Sequence, residues 1–384
     1  MSLFDVQPDP IERNEVFRED YLPAPLPVRE EGVTRVQEGV RRALRQQTGA
    51  IVVRGPSGTG KTTIARRVVD ADVDGSPDEW TYFEADPNNS SYREQIQFIN
   101  RLRSGPPLSK TGYARDTVLT ELARELETVV GPHGIAIDGA TAATHETLIR
   151  ALLSYVAETT TARIAVVVTT RQENASLIPE EYSVEEVTTF FSIDELMQIL
   201  NHRIDCGCDA ERISPEVVPL CAAYGIERGD YAHSMLDVFT RSAKVAQENL
   251  APEVVGKHVE EAKTRLKDAN LMSRVRTLDE HSVLVLYAAG ELASTGRTPA
   301  ASATLRTEYE SWCASIPVEP LSRRRLRDRF RRLCDDGILT YEEVNEGRNG
   351  GRYREYSLVV PLERLQRSLE EATAFSEIHR TIQW

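Results

Sequence analysis

Lysine is scarce in this sequence: only 6 of its 46 basic residues are lysine, and the rest are arginine. An acidic, arginine-rich and lysine-poor surface suits a high-salt cytoplasm, although a GC-rich genome alone produces the same arginine bias. Asp and Glu total 60, which gives a net charge of −14. A charge of this sign and size opposes general adhesion to nucleic acid.

Cysteines and long apolar runs are also few. The five cysteines are an odd number spread over 384 residues, which favours reduced thiols over a disulfide framework. Cys206 and Cys208 have no second Cys or His pair nearby, so they offer too few ligands for a metal site. No apolar run approaches the ~18–20 residues that a membrane helix needs, and the N-terminus lacks the basic and apolar regions of a secretory signal. We therefore expect a cytoplasmic protein without a membrane partner.

The order of patterns along the chain predicts three domains, because ~100–200 residues per domain is usual. Residues 1–30 contain several prolines and predict an extended lead-in. Residues 31–191 alternate short β-branched runs with helix-length segments, which indicates an α/β domain whose parallel sheet is covered on both faces. Residues 192–272 predict a small helical domain. Residues 273–384 predict three helices, a two-stranded hairpin and a C-terminal helix.

Individual elements follow from the same patterns. Ser192–Glu195 is a capping box that opens one helix, and Ser214–Pro215 starts a second that Gly225 is expected to end. The predicted strands of the first domain are 50–54, 80–84, 134–138, 163–169 and 185–190. Further helices are predicted at 232–248, 253–268, 278–292, 301–315 and 322–335, and the hairpin strands at 337–344 and 352–360.

A phosphate-binding motif directly follows the first predicted strand. Gly55–Thr62 reads GPSGTGKT and satisfies G-x-x-x-x-G-K-[ST]. Glycines let such a loop curl so that its N–H groups face a phosphate, and the following helix adds its positive N-terminus. Lys61 is expected to reach the β- and γ-phosphates, and the Thr62 hydroxyl to bind Mg²⁺. The predicted site for ATP or ADP comprises Gly55, Pro56, Ser57, Gly58, Thr59, Gly60, Lys61, Thr62 and Thr63.

The residues needed for hydrolysis are less complete. Asp138 ends the strand GIAID and is placed to hold Mg²⁺ through water, although a strand-ending helix cap is the alternative. Many hydrolysing enzymes carry a second carboxylate at the next position, which here is Gly139. At the end of the following strand, where a polar side chain usually senses the γ-phosphate, the sequence has Thr169 and Thr170. No residue is assigned firmly as catalytic.

The C-terminal region is nearly neutral and contains a dense arginine cluster. Residues 278–360 carry 12 Arg and 13 acidic residues, which leaves −13 for the rest of the chain. In the predicted helix 322–335, Leu326, Phe330 and Leu333 fall on one apolar face. The arginines of the free face can enter a DNA major groove, and those of the polar hairpin turn can meet phosphates or the minor groove. A solvated charged face is the plainer alternative. The predicted DNA-binding residues are Arg323, Arg324, Arg327, Arg331, Arg348 and Arg352.

Taken in order, these segments resemble a known family. FREDYLPAPLPVREE, GPSGTGKT, GIAID, FFSIDELMQIL and RGDYAHSMLDV precede a winged-helix pattern. The chain resembles the archaeal initiators related to the origin recognition complex and the cell-division-control replication proteins, over roughly residues 15–360. The resemblance implies an AAA+ ATPase core, a helical lid and a winged-helix domain. It also implies binding to double-stranded origin DNA, to other initiator subunits and to the replicative helicase.

The departures from that family all concern ATP turnover. Gly139 replaces the expected Glu, and Thr169 or Thr170 replaces the sensor asparagine. In the lid, His233 or Ala232 stands where the family supplies an arginine to the γ-phosphate. The segment that would carry an arginine to a neighbour's ATP is not found. Together they imply a divergent paralogue that binds ATP and hydrolyses it slowly, or not at all.

These sequence features suggest three alternative functions. The first is an ATP-binding, DNA-binding replication initiator or a regulator derived from one. The second is an ATP-gated winged-helix transcription regulator, which nucleotide binding switches and which loads no helicase. The third is an active NTPase motor, which Gly139 disfavours. Genomic sites clustered at replication origins support the first, and scattered promoter sites support the second.

Overall fold

The computed structural model describes residues 9–71, 75–159, 163–171, 177–316, 318–345 and 352–372. Two compact units make up the chain, and the division falls between Glu260 and Glu261. The predicted boundaries after residues 191 and 272 stay predictions. No helix of the described segments is long and apolar enough to cross a membrane.

A five-stranded parallel sheet forms the centre of the first unit. Its strands have the order β2-β3-β4-β1-β5, and their bounds are β1 Thr48–Arg54, β2 Glu79–Glu84, β3 Pro132–Ala140, β4 Arg163–Thr170 and β5 Ser183–Thr188. Each predicted strand is present, with ends that differ by one or two residues. The helices around the sheet are α1 Glu30–Arg45, α2 Lys61–Val69, α3 Ser91–Leu102, α4 Arg115–Glu127 and α5 Ala142–Thr159.

Both faces of this sheet are covered, as the continuous apolar strands predict. Ile51 and Val53 pack with α1 and α2 on one face, whereas Ala50 and Val52 pack with α3, α4 and α5 on the other. This alternation follows from the two-residue period of a strand. Because all the strands are parallel, their carboxyl ends meet at one edge, where ligands bind in open α/β sheets.

A helical lid follows the sheet in the same unit. Its helices are α6 Ile193–Gly207, α7 Val217–Arg228 and α8 Tyr231–Glu248, and α9 Gly256–Arg276 crosses the division between the units. The predicted capping box is present: Ser192 Oγ accepts the Glu195 N–H, and the Glu195 carboxylate accepts the Ser192 N–H. The lead-in contacts this lid, because Phe17 stacks on Phe239 with the ring centroids 5.1 Å apart. The described part of the lead-in, residues 9–29, is not continuously extended, because it contains the 3₁₀ turn Asn14–Phe17 and further turns at 19–20 and 27–29.

The prediction that Gly225 ends a helix is wrong. Gly225 lies inside α7, and Gly229 ends the helix with a φ of 72°. A Cβ on Gly225 would lie 2.4 Å from the backbone oxygen of Tyr231. The missing side chain at 225 therefore allows the start of α8 to approach α7 closely, which is a tertiary role.

The second unit has the predicted winged-helix arrangement. Its elements are α10 Glu280–Ser294, β6 Ala300–Ala301, α11 Ser302–Ser315, α12 Arg323–Asp335, β7 Leu339–Asn345, β8 Arg352–Leu358 and α13 Leu362–Ala372. The strands form an antiparallel sheet of order β6-β8-β7. The sequence did not predict β6, a two-residue strand that pairs with β8. Leu326, Phe330 and Leu333 of α12 are buried in this unit's core, so the predicted apolar face is confirmed.

Candidate nucleotide and DNA sites

The GPSGTGKT loop joins β1 to the first turn of α2 at the carboxyl edge of the sheet. Gly58 and Gly60 have φ values of 69° and 82°, a left-handed conformation that glycine adopts without the cost of a Cβ. No side chain caps the N-terminus of α2. The first N–H groups of this helix and its dipole thus favour an anion. These features are compatible with a loop that curls around a phosphate.

The lid packs directly on this loop. The Ala232 N–H donates to the Gly58 carbonyl over 3.2 Å, and a Cβ on Gly58 would lie 1.8 Å from the Asp230 carbonyl oxygen. His233 Nδ1 lies 2.7 Å from Glu19 Oε1 of the lead-in, and half of the His233 side chain is exposed. The predicted lid sensor thus contacts a carboxylate of its own chain, which competes with a phosphate for this side chain.

Arg29 ties the lead-in to the phosphate-binding loop, and sequence reasoning missed it. Its buried guanidinium donates to the Thr59 carbonyl over 3.2 Å and to the Phe190 carbonyl over 2.6 Å. It also lies 3.7 Å above the Phe191 ring. Burial lowers the pKa of Arg29 to about 10, against the opposing charge of Glu195. The proline-rich stretch before it gave no signal of this contact, which joins segments far apart in sequence.

Asp138 is the centre of a hydrogen-bonded cluster beside the loop. The residue is 6% exposed, and its Oδ1 accepts hydrogen bonds from the Thr62 hydroxyl, at 3.1 Å, and from the Thr169 hydroxyl. Its Oδ2 accepts from the Tyr82 hydroxyl at 2.7 Å. Thr62 and Asp138 therefore bring together the hydroxyl and carboxylate oxygens that Mg²⁺ prefers. The donor set fits the ion that the motif predicts.

Tyr82 is a second residue that the sequence analysis missed. It comes from β2, and its position lies two residues before Glu84, the register partner of Asp138. Burial and the hydrogen bond to Asp138 raise the pKa of the Tyr82 hydroxyl above its ordinary range. The hydroxyl therefore stays protonated and donates a hydrogen bond to Asp138 Oδ2. This contact depends on how β2 pairs with β3, which the sequence patterns did not predict.

Gly139 differs from a glutamate in backbone as well as in side chain. Its φ is 84°, and the pairing of β3 with β4 shifts register between Ile137 and Ala140. The Gly139 N–H donates to the Thr169 hydroxyl over 2.8 Å. Thr169 is thus engaged by both Gly139 and Asp138, and Thr170 is fully buried. Neither threonine is arranged as a free phosphate sensor.

Lys61 is largely buried beside these groups. Its ammonium donates to the Pro56 carbonyl. Burial lowers the pKa of Lys61 to about 8; the charge of Arg171 acts in the same direction, and Asp138 opposes both. The lysine thus loses its proton within the range in which proteins are handled in solution.

This pKa predicts that nucleotide affinity depends on pH. A bound phosphate stabilises the protonated lysine and raises its pKa, so the affinity is full below the free pKa of about 8 and falls above it. The fall is roughly tenfold per pH unit until the pKa of the bound state is reached. Titration calorimetry at about pH 7 and about pH 9, in two buffers of different ionisation enthalpy, checks this through the proton uptake it predicts at the higher pH. Equal affinities with no buffer dependence contradict it.

The exposed face of α12 is rich in unpaired arginine. Within the described part of the chain, no hydrogen bond or ion pair engages the exposed side chains of Arg323, Arg324, Arg325, Arg327 and Arg331. Arg329 and Arg332 differ, because they pair with Asp279 at 2.9 and 3.7 Å. The sequence analysis predicted four of the five unpaired residues and missed Arg325.

The structure describes one of the two predicted hairpin arginines. Arg352 opens β8, is exposed and pairs in register with Asn345. Arg348 lies outside the described residues. Arg354 is held by Glu343 at 3.0 Å and lies 4.1 Å from the Tyr341 ring centroid. Of the predicted hairpin residues, Arg352 is thus the one whose placement the structure gives.

Three family models match successive segments of the chain. They are the AAA ATPase domain over residues 25–176, the Cdc6 AAA+ ATPase-type lid domain over 197–264, and the CDC6 C-terminal winged-helix domain over 273–368. Together they follow the order of domains that the sequence predicted.

Whole-length relatives carry names of the same kind. The chain is 27% identical to ORC1-type DNA replication protein 11 of Haloarcula marismortui, over 100% of this chain and 96% of that protein. It is 26% identical to the ORC1-type DNA replication protein of Thermococcus onnurineus, over 90% of this chain and 87% of the relative.

Among solved structures, the Aeropyrum pernix ORC1 protein in complex with DNA has a similar fold. The TM-score is 0.77 at 24% identity, with 97% of this chain and 99% of that chain covered. The Aeropyrum pernix ORC2 protein in ADPNP–ADP complexes gives 0.55 at 18% identity, with 94% and 98% covered. With the three domain matches and the whole-length relatives, the chain belongs to the ORC1/Cdc6 family of replication initiators, AAA+ proteins with a lid and a C-terminal winged helix.

Proposed function

We propose that this protein binds ATP and double-stranded DNA, recognises origin DNA and supports helicase loading, and hydrolyses ATP slowly or not at all. The observation that carries the proposal is the presence in one chain of an intact phosphate-binding loop and a helix, α12, with five arginines that pair with no group of the described residues. The first suits a nucleoside triphosphate, and the second suits a polyanion with a groove.

In the nucleotide half, the loop from Gly55 to Thr63 holds the phosphates. Lys61 neutralises the β- and γ-phosphates, and the N-terminal N–H groups of α2 add to the same field. Thr62, and Asp138 through water, would hold Mg²⁺, which would supply positive charge to the phosphates when it is bound. The lid turn at Asp230, packed on Gly58, closes one side of the site against water.

Slow turnover follows from how the neighbouring groups are engaged. The position after Asp138 has no carboxylate to orient water, and its left-handed backbone disfavours any residue with a Cβ. Thr169 is bonded to Asp138 and Gly139, and His233 is bonded to Glu19. The site therefore binds the triphosphate more readily than it activates a water molecule against it.

The test is the rate of phosphate release by the purified protein and by Gly139→Glu. We expect both to stay well below the ~1–100 s⁻¹ that is typical of phosphoryl-transfer kinases. A glutamate at φ 84° costs about 1–2 kcal/mol of backbone strain, and the engaged sensor positions remain. Gly139→Ala is the matched control, because it adds the same strain without the carboxylate. A wild-type rate in the kinase range contradicts slow turnover, and a rise to that range in Gly139→Glu alone makes the missing carboxylate the sole defect.

In the DNA half, α12 enters the major groove. Arg323, Arg324, Arg327 and Arg331 read base edges there, since arginine suits bidentate contact with guanine. Arg352, at the start of β8, and Arg348, which lies outside the described residues, contact the backbone beside the groove. The rest of the chain carries a large negative charge, so contact is restricted to this face.

A further inference from the structure

The end of β4 places three polar residues in succession beside the phosphate-binding loop. Thr170 is the register partner of Arg54 on β1, and its carbonyl accepts the Gly55 N–H over 3.3 Å. Arg171, the next residue, therefore leaves the sheet alongside the first residue of the loop.

Arg171 is the member of this group that is free to meet a ligand. The Thr169 hydroxyl is bonded to Asp138 and to the Gly139 N–H, and Thr170 is fully buried. The Arg171 side chain is exposed, and within the described ranges no hydrogen bond or ion pair engages it. The expected AAA+ sensor position is Thr169 or Thr170. The donor that is available to a ligand is instead the guanidinium of the next residue, Arg171.

Charge supports the same conclusion. Arg171 lies close enough to Lys61 for their positive charges to repel each other. Among the described residues, the carboxylate whose charge opposes this repulsion at Lys61 is Asp138, and its oxygens already accept hydrogen bonds from Thr62 and Tyr82. Two neighbouring cations favour an anion, and a triphosphate carries more negative charge than a diphosphate.

We propose that Arg171 contacts the terminal phosphate of a bound nucleoside triphosphate in cis and thereby makes the site prefer triphosphate to diphosphate. The inference rests on the proposed nucleotide binding and names the residue that reads the γ-phosphate. A guanidinium offers two parallel N–H donors to phosphate oxygens. It takes the place of the threonines and of His233, which are bonded to protein groups.

The experiment compares the affinities of a non-hydrolysable ATP analogue and of ADP by titration calorimetry. Arg171→Ala is expected to weaken the triphosphate analogue by about 10- to 100-fold, the range of one charge-assisted contact, and to leave ADP within about twofold. Arg171→Lys is expected to recover part of the preference, because it keeps the charge and loses the fork. Arg163→Ala is the matched control: Arg163 is an exposed arginine at the opposite end of the same strand, so both affinities are expected to stay unchanged.

Each other outcome overturns the inference. An equal loss for both nucleotides makes Arg171 a source of general positive potential, and no loss for either removes it from the site. In both cases wild-type binding stands, so the proposed nucleotide binding survives. If the wild type binds neither nucleotide, the proposal and the inference fail together. Melting temperatures of all variants, measured without nucleotide, separate these results from unfolding.

Discussion

Replacing Arg323, Arg324, Arg327 and Arg331 together by alanine is expected to reduce the affinity for the preferred DNA site to the level of non-specific binding. Specific and non-specific affinities typically differ by ~10³–10⁷-fold, so a loss of at least ~10³-fold is expected. The four side chains are exposed and unpaired within the described chain, so the fold does not depend on them. Fluorescence anisotropy with a duplex obtained by selection from a random pool measures the loss.

A second fourfold variant is the control for the change in net charge. Arg45, Arg93, Arg115 and Arg150 are exposed arginines of the first unit, and their replacement by alanine changes the net charge by the same amount. We expect specific binding to weaken only slightly, because these residues lie on helices outside the winged helix. Equal losses in the two variants contradict a specific role for α12 and leave only a general electrostatic effect.

Single variants separate base reading from backbone contact. Arg327→Ala is expected to cost ~1–3 kcal/mol on the preferred site and to relax sequence choice there. Arg352→Ala is expected to weaken binding to all duplexes about equally and to lower the salt slope by ~1. If both variants keep the wild-type affinity on every duplex tried, the winged helix contacts protein instead of DNA.

Lys61→Ala is the second change with a large expected effect. Removing one charge from a buried, hydrogen-bonded pair costs ~2–5 kcal/mol, so nucleotide affinity is expected to fall roughly 30-fold to several thousand-fold. Lys61 is the buried first residue of α2, and its ammonium donates to the Pro56 carbonyl of the loop whose bound phosphates it is proposed to neutralise. Titration of a fluorescent nucleotide analogue measures the effect.

The control for this variant is Lys110→Ala. Lys110 is an exposed lysine in the segment between α3 and α4, and its loss is expected to leave nucleotide affinity unchanged. Thermal denaturation of the two variants shows whether the fold is kept. A Lys61→Ala protein that is folded and binds nucleotide as the wild type does contradicts the assignment of the loop.

Local patterns predicted most of the fold. The strands around GIAID and AIVVR, the capping box at Ser192 and the apolar face of α12 depend on residues close in sequence, where periodicity and capping chemistry are decisive. Gly225 was misjudged, because its role is a contact with Tyr231 across two helices. A glycine that permits close packing and one that ends a helix look alike in sequence.

The site was predicted less completely than the fold. The loop and Asp138 follow from a motif and its strand context, whereas Tyr82 and Arg29 reach the site from segments distant in sequence. The left-handed backbone at Gly139 was also not evident from its identity, which predicted only a missing carboxylate. Strand register and backbone conformation are tertiary properties, and they decide these three positions.

The most direct test of the account is a chromosome-wide map of where the protein binds in its native cells, by chromatin immunoprecipitation. We expect binding sites that cluster at replication origins, disappear when the four α12 arginines are replaced and persist in the charge-matched control. Sites scattered over promoters, with none at origins, contradict the initiator function and identify a winged-helix transcription regulator instead.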